Sequence, residues 1–251
     1  MNSEASQSAF VIFLIFCRIG GCVLFAPGLS SARVPVNARL LIAVGMTAAI
    51  APLLHQTIAR ELTAIPLEIQ PVLIVTETVI GAMIGLMGRL YLLALQMAAT
   101  AASSLVGLSG IPGVPLDEAE QGSILATLAS STAVMLILLL GLEIEMLRAV
   151  IDSYDVIRLD STVPIRVLLT SFVDVLTDTS ALALRLAAPF LAYGVIVNIA
   201  IGMGNRFAPH ISVYHATTGA VMLGGFLLIY LLWQEWFVLF LESYDSWLTR
   251  R

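Results

Sequence analysis

The chain has 251 residues, 59% of them hydrophobic and only 12% charged, with a mean hydropathy of +0.97. Soluble domains average about 45–50% apolar and about 25% charged residues, so this composition argues against a water-soluble globule. All twelve basic residues are arginine, the net charge is −5 and no basic run occurs, which argues against a nucleic-acid partner.

A helix that crosses a bilayer needs about 20 mostly apolar residues. On that criterion six hydrophobic blocks follow one another, at 8–27, 37–54, 69–105, 123–150, 164–203 and 211–241. The first begins in MNSEASQSAFVIFLIF, which lacks the basic start and small-residue cleavage site of a signal peptide, so it reads as a retained first helix. Cys17 and Cys22 lie five apart within it and predict two small buried residues rather than a disulfide. The third and fifth blocks are far longer than one span and hold ionisable groups; each is one long helix, a bent one or a pair. No strand-like alternation with hairpin turns stands out, so the fold class is all-α, built from membrane-type helical hairpins.

The separators are Pro27–Ser31, His55–Pro66, Leu105–Gly122, Ser153–Pro164 and Asn205–His210. With strict alternation, Arg60, Arg158, Arg166 and the Arg250-Arg251 tail share one side, against Arg33, Arg39 and Arg206 on the other. That excess predicts cytoplasmic termini. Ala32-Arg33-Val34-Pro35 and Asn205-Arg206-Phe207-Ala208-Pro209 echo each other as hairpin corners. In each, proline stops a helix and arginine can meet its exposed carbonyls.

Arg18, Glu77, Arg89, Glu143, Glu145 and Arg185 fall inside the apolar blocks. Each costs roughly 2.5–3.5 kcal/mol at a bilayer centre, so they pair, line a polar cavity, or lie where helices bury one another. Glu77, Gly81, Gly85 and Gly88 share one helix stripe, and GAMIG (81–85) is a small-xxx-small surface that permits close helix contact. Arg89, Gln96, Thr100 and Ser103 form a polar stripe leading into the third separator. Asn198, Gly202 and Arg206 form another. Glu145 and Arg148 are spaced to pair, whereas Glu143 faces elsewhere. Trp233, Trp236, Trp247, Tyr230 and Tyr244 fit either an interfacial belt or plain packing.

Enzyme signatures are missing. There is no H-E-x-x-H, no G-x-S-x-G elbow and no P-loop, and His55, His210 and His215 sit in or beside separators. Asp117, Glu118 and Glu120 cluster in one short stretch without a basic partner, and suit a solvated turn and helix start. No catalysis, metal or cofactor is expected.

The third separator, LVGLSGIPGVPLDEAEQG (105–122), is either an ordinary interhelical loop or a moving part. Gly107, Gly110 and Gly113 free the backbone, and Pro112 and Pro115 keep it from joining its flanking helices. Leu105, Val106, Leu108, Ile111 and Val114 are apolar enough to seal a narrow channel by dewetting, with Ser109 among them.

Three stretches in order carry a family resemblance: CRIGGCVLFAPGLSSARVPVNARLLIAVGMTAAIAP, ETVIGAMIGLMGRLYLLALQMAATAASSLVGLSG and ALRLAAPFLAYGVIVNIAIGMGNRFAPHISVYH. The chain resembles the FliR family, the R-type subunits of flagellar and virulence type III export gates. The resemblance implies a non-enzymatic inner-membrane subunit of the flagellar basal body. It implies assembly with P- and Q-type subunits around a conduit for unfolded flagellar proteins, with the B- and A-type export proteins nearby. It implies helices that pack on one another and on partners, raised towards the periplasmic side, with Arg18, Glu77, Arg89, Glu143, Glu145, Arg185 and Arg206 at subunit contacts or the channel. Residues 106–122 take the position of the family's channel plug, between helical hairpins at 1–105 and 123–251; Asp117, Glu118 and Glu120 would hydrate its rim. Gly107-Leu108-Ser109 keeps the plug's start, but Val106 replaces the usual methionine and Leu116-Asp117-Glu118 the usual Asp-Pro. Gly141-Leu142-Glu143 stands where Gly-His is commoner. Alternatives are an injectisome R-type subunit, or a secondary transporter or ion channel that uses the buried charges.

Overall fold

The structure is a computed structural model that describes residues 2–31, 34–63, 65–108, 123–157, 165–207 and 213–249. Among them the regular elements are helical. They are α1 (Asn2–Phe25), α2 (Val36–Leu62), a 3-10 turn (Leu67–Ile69), α3 (Gln70–Val106), α4 (Ile124–Leu139), α5 (Leu142–Val156), α6 (Ile165–Phe207) and α7 (Val213–Thr249). Five helices are long and apolar enough to cross a membrane, and α4 with α5 make a sixth candidate as a pair bent by 71°.

The six apolar blocks are therefore present, but their interruptions fall in unexpected places. The third and fifth blocks are single helices of 37 and 43 residues. The block at 123–150 is the one that breaks. Its chain turns at Leu139–Gly141, where Gly141 adopts φ +71°, a left-handed conformation that residues with a Cβ rarely take. Hydropathy alone runs straight through this break. The separator expected at His55–Pro66 is also two-thirds helix, since α2 continues to Leu62 and only then approaches Pro66.

The chain divides into two compact units. The first holds residues 1–90, 137–176 and 247–251, the second 91–136 and 177–246.

In the first unit, α1 buries Val11, Leu14, Ile15, Arg18, Ile19 and Cys22, the three- and four-residue spacing of one helix face. That face packs with Ala43, Ile50 and Ile58 of α2, Leu73 of α3 and Met146 and Val150 of α5. α1 stops before Pro27-Gly28, with Gly28 at φ +82°. α2 starts behind Pro35, whose fixed φ of −63° suits a helix entry. The arginine that meets a carbonyl at this corner is Arg39, whose Nη2 donates to the Ser31 oxygen at 2.5 Å. The corner's expected arginine, Arg33, lies outside the described residues.

In the second unit residues 177–207 of α6 pair with residues 213–246 of α7, and aromatic contacts join α7 to α6 and to α3. Phe190 meets Trp236 edge-on at 5.3 Å, and Tyr91 of α3 meets Tyr244 edge-on at 5.6 Å. Trp236 and Tyr244 are thus core residues, Trp233 and Trp247 are half-buried, and Tyr230, 79% exposed, is placed as a belt residue would be.

Candidate functional site

Two places concentrate the residues singled out by the sequence: a buried ion pair in the first unit, and the C-terminal end of α3 in the second.

The ion pair begins with backbone geometry. Gly81 and Gly85 stand on one stripe of α3, and α1 crosses there so closely that a side chain at either position would overlap the main chain, the Arg18 and Cys22 carbonyl oxygens respectively. Gly21 answers from α1, where a Cβ would stand 2.5 Å from the Thr78 carbonyl oxygen. Small residues on both helices let the backbones approach. One turn from Gly81 on the same stripe, Glu77 receives both arms of Arg18: Nε donates to Oε2 at 2.6 Å and Nη2 to Oε1 at 2.7 Å. Nη1 donates to the Ser153 hydroxyl at 2.9 Å, and Nη2 reaches the Ile157 carbonyl at 3.4 Å. The Tyr154 ring lies 3.6 Å from the guanidinium carbon. Both charged side chains are essentially unexposed.

Bidentate, charge-assisted contacts with further acceptors are what a buried arginine requires. The result is a three-helix node joining α1, α3 and the C-terminal turn of α5. Ser153 and Tyr154 carry no hydropathy signal because they lie just past the fourth apolar block, at the start of the separator that follows it. Their signal is one of composition: a hydroxyl and an aromatic ring closing a short helix whose buried positions recur every three or four residues.

The other awkward charges differ. Glu145 accepts from Arg148 Nη1 at 2.6 Å on a partly exposed surface, as its spacing predicts. Glu143 is half-buried, with one enclosed carboxylate oxygen that has no hydrogen-bond partner. Arg89 is half-buried, and Arg185 and Arg206 are exposed on α6. Of the seven charges, only Arg18 and Glu77 are buried within this chain.

At the end of α3, Val106 is fully buried, and Gly107 ends the helix at φ +82° with its N–H on the Ser104 carbonyl. Leu108 is half-buried. Ser109, Gly110, Ile111, Pro112, Gly113, Val114, Pro115, Asp117, Glu118 and Glu120 lie outside the described residues.

The polar stripe of α3 is not one surface. Thr100 is exposed and Gln96 half-buried, but Ser103 turns inward, and the outward line continues through Ser104. Leu93, Gln96, Met97, Thr100, Ala101 and Ser104 line an open depression of about 490 Å3. The two hydroxyls bond to their own helix, Thr100 to the Gln96 carbonyl at 2.8 Å and Ser104 to the Thr100 carbonyl at 3.0 Å. Among the described residues no group of three or more histidine, cysteine or acidic side chains converges to hold a metal ion.

The flagellar biosynthetic protein FliR of Caulobacter vibrioides is 25% identical over 228 residues, 89% of this chain and 89% of the relative. The family described as bacterial export proteins, family 1, matches residues 9–246, from the first apolar turns of α1 almost to the end of α7. Matched over nearly its whole length, the chain belongs to the bacterial export proteins, family 1.

Proposed function

We propose that this chain is the R-type subunit of a flagellar export gate. In the inner membrane it builds, with P- and Q-type subunits and beside the A- and B-type export proteins, the conduit for unfolded flagellar proteins. Residues 106–122 close that conduit. The observation that carries the reading is the family match over residues 9–246. The flagellar branch is preferred over an injectisome because the similar Caulobacter protein is named for flagellar biosynthesis.

Helix length supports packing outside a simple bilayer. At 1.5 Å per residue, the 37 residues of α3 and of α7 each reach about 55 Å, and the 43 of α6 about 64 Å. A hydrocarbon core of about 30 Å accommodates half of that. The outward Arg185 of α6 is costly against lipid and inexpensive against protein or water. A coupled transporter, by contrast, needs a carboxylate free to exchange its ion. The most buried one among the described residues, Glu77, is closed on both oxygens by Arg18.

The test is conductance of membranes carrying the assembled gate, with the intact chain and with residues 107–115 deleted. The deletion is expected to leave co-purification with the P- and Q-type subunits unchanged and to raise ion leak. A tight membrane after deletion rules out the closing role. A chain that purifies as a functional homo-oligomer without those partners rules out the gate.

A further inference from the structure

Three glycines of the second unit are filled by side chains from other helices. A methyl group at Gly225 of α7 would overlap both methyls of Val106 and stand 2.8 Å from its Cβ. At Gly194 of α6 it would stand 2.7 Å from Leu105 Cδ2. At Gly224 it would stand 2.6 Å from the Tyr193 hydroxyl, which itself donates to the Val221 carbonyl at 2.6 Å. The last two side chains of α3 thus enter two adjoining notches, one on each arm of the α6–α7 hairpin, while the Tyr193 hydrogen bond ties the arms together beside them. The next residue, Gly107, leaves the helix at φ +82°.

We propose that Gly194 and Gly225 form a socket that fixes the last turn of α3, with Val106 as its principal key, and so sets where the closing segment leaves the helix. The inference rests on the gate reading above and adds the residues that position its closure. Shape supports a keyed seat over generic packing. Val106 is β-branched and has few rotamers with which to yield, and it meets Gly225 through its Cβ as well as its methyls. Leu105 touches Gly194 chiefly through the flexible end of its side chain, so that notch is the more tolerant one.

The experiment is a size swap in the assembled gate, read as ion conductance with co-purification of partners as the control for assembly. Gly225→Ala is expected to raise the open fraction by roughly 5- to 150-fold, the range for a misfitted core contact of this kind. Val106→Ala in the same chain is expected to reverse most of that rise, because it removes the methyls that the new one displaces. Gly194→Ala, and its reversal by Leu105→Ala, should follow the same pattern with smaller amplitude. Should Gly225→Ala prevent assembly, the Gly194 and Leu105 pair decides. A leak that the matched swap does not reverse overturns the socket. A leak on deleting residues 107–115 together with a tight Gly225→Ala gate overturns the socket and spares the gate reading. Absence of leak in the deletion itself overturns the gate reading first.

Discussion

Both carboxylate oxygens of Glu77 are held by the single guanidinium of Arg18, at 2.6 and 2.7 Å, across 59 positions of sequence. Removing one member leaves the other buried without its counter-charge, a loss of about 3–5 kcal/mol. Glu77→Ala is therefore expected to lower the thermal midpoint of the purified protein sharply, while Arg18→Met with Glu77→Leu restores much of it. The double variant should also still support export, scored as motility. Restored stability with lost export would instead make the pair part of the working cycle.

On the surface of α5 the same chemistry carries little weight. Glu145→Ala breaks a 2.6 Å contact to Arg148, but both side chains are partly exposed. Water and counter-ions screen such pairs, and a change of at most about 1 kcal/mol is expected in the same melting measurement. A loss as large as that of Glu77→Ala would reveal a partner surface covering this pair.

Glycine substitutions should divide by what surrounds them. Gly81→Ala drives a methyl into the Arg18 carbonyl, a backbone atom that no rotamer change can move, and should separate α1 from α3. Gly45 on α2 has open space around it, and Gly45→Ala is expected to be neutral or to stabilise by about 0.5–1 kcal/mol through the unfolded chain. Accumulation of the full-length chain in membranes compares the two directly; equal accumulation would contradict the close crossing.

Cys17 and Cys22 are free and buried, at 9% and 5% exposure. A maleimide reagent is expected to leave both unlabelled in the native protein and to label both after denaturation. Labelling of Cys17 in Glu77→Ala but not in the intact chain would report the opening of the α1–α3 contact.

What the sequence made legible follows from what each signal measures. Run length and hydropathy were sufficient for six apolar blocks, because each spans many residues. The spacing of Glu77, Gly81 and Gly85 was sufficient for a contact stripe, because helix periodicity is local. Which helix would cross that stripe was not legible: Arg18 and Gly21 come from a different block, and no local pattern couples them. The break at Gly141 is not legible in hydropathy because a single glycine amid leucines alters it very little, while the deciding property is a backbone angle. Gly194 and Gly225 are not legible for a related reason, since a glycine in an apolar helix does not announce which side chain will occupy its space.

The turn at Gly141 bears on how the chain is made. At 1.5 Å per residue, the 16 residues of α4 extend about 24 Å and the 15 of α5 about 22 Å. Each falls short of the roughly 30 Å of hydrocarbon that an insertase must fill with one continuous helix. As the ribosome delivers them, the two arrive as successive segments, each too short to span on its own and joined by a turn rather than by continuous helix. Insertion of this region must then wait for a sheltering surface, either later helices of the same chain or another subunit. Biogenesis becomes a matter of timing as well as of hydropathy, and a delay there would leave the half-made chain open to quality-control proteolysis.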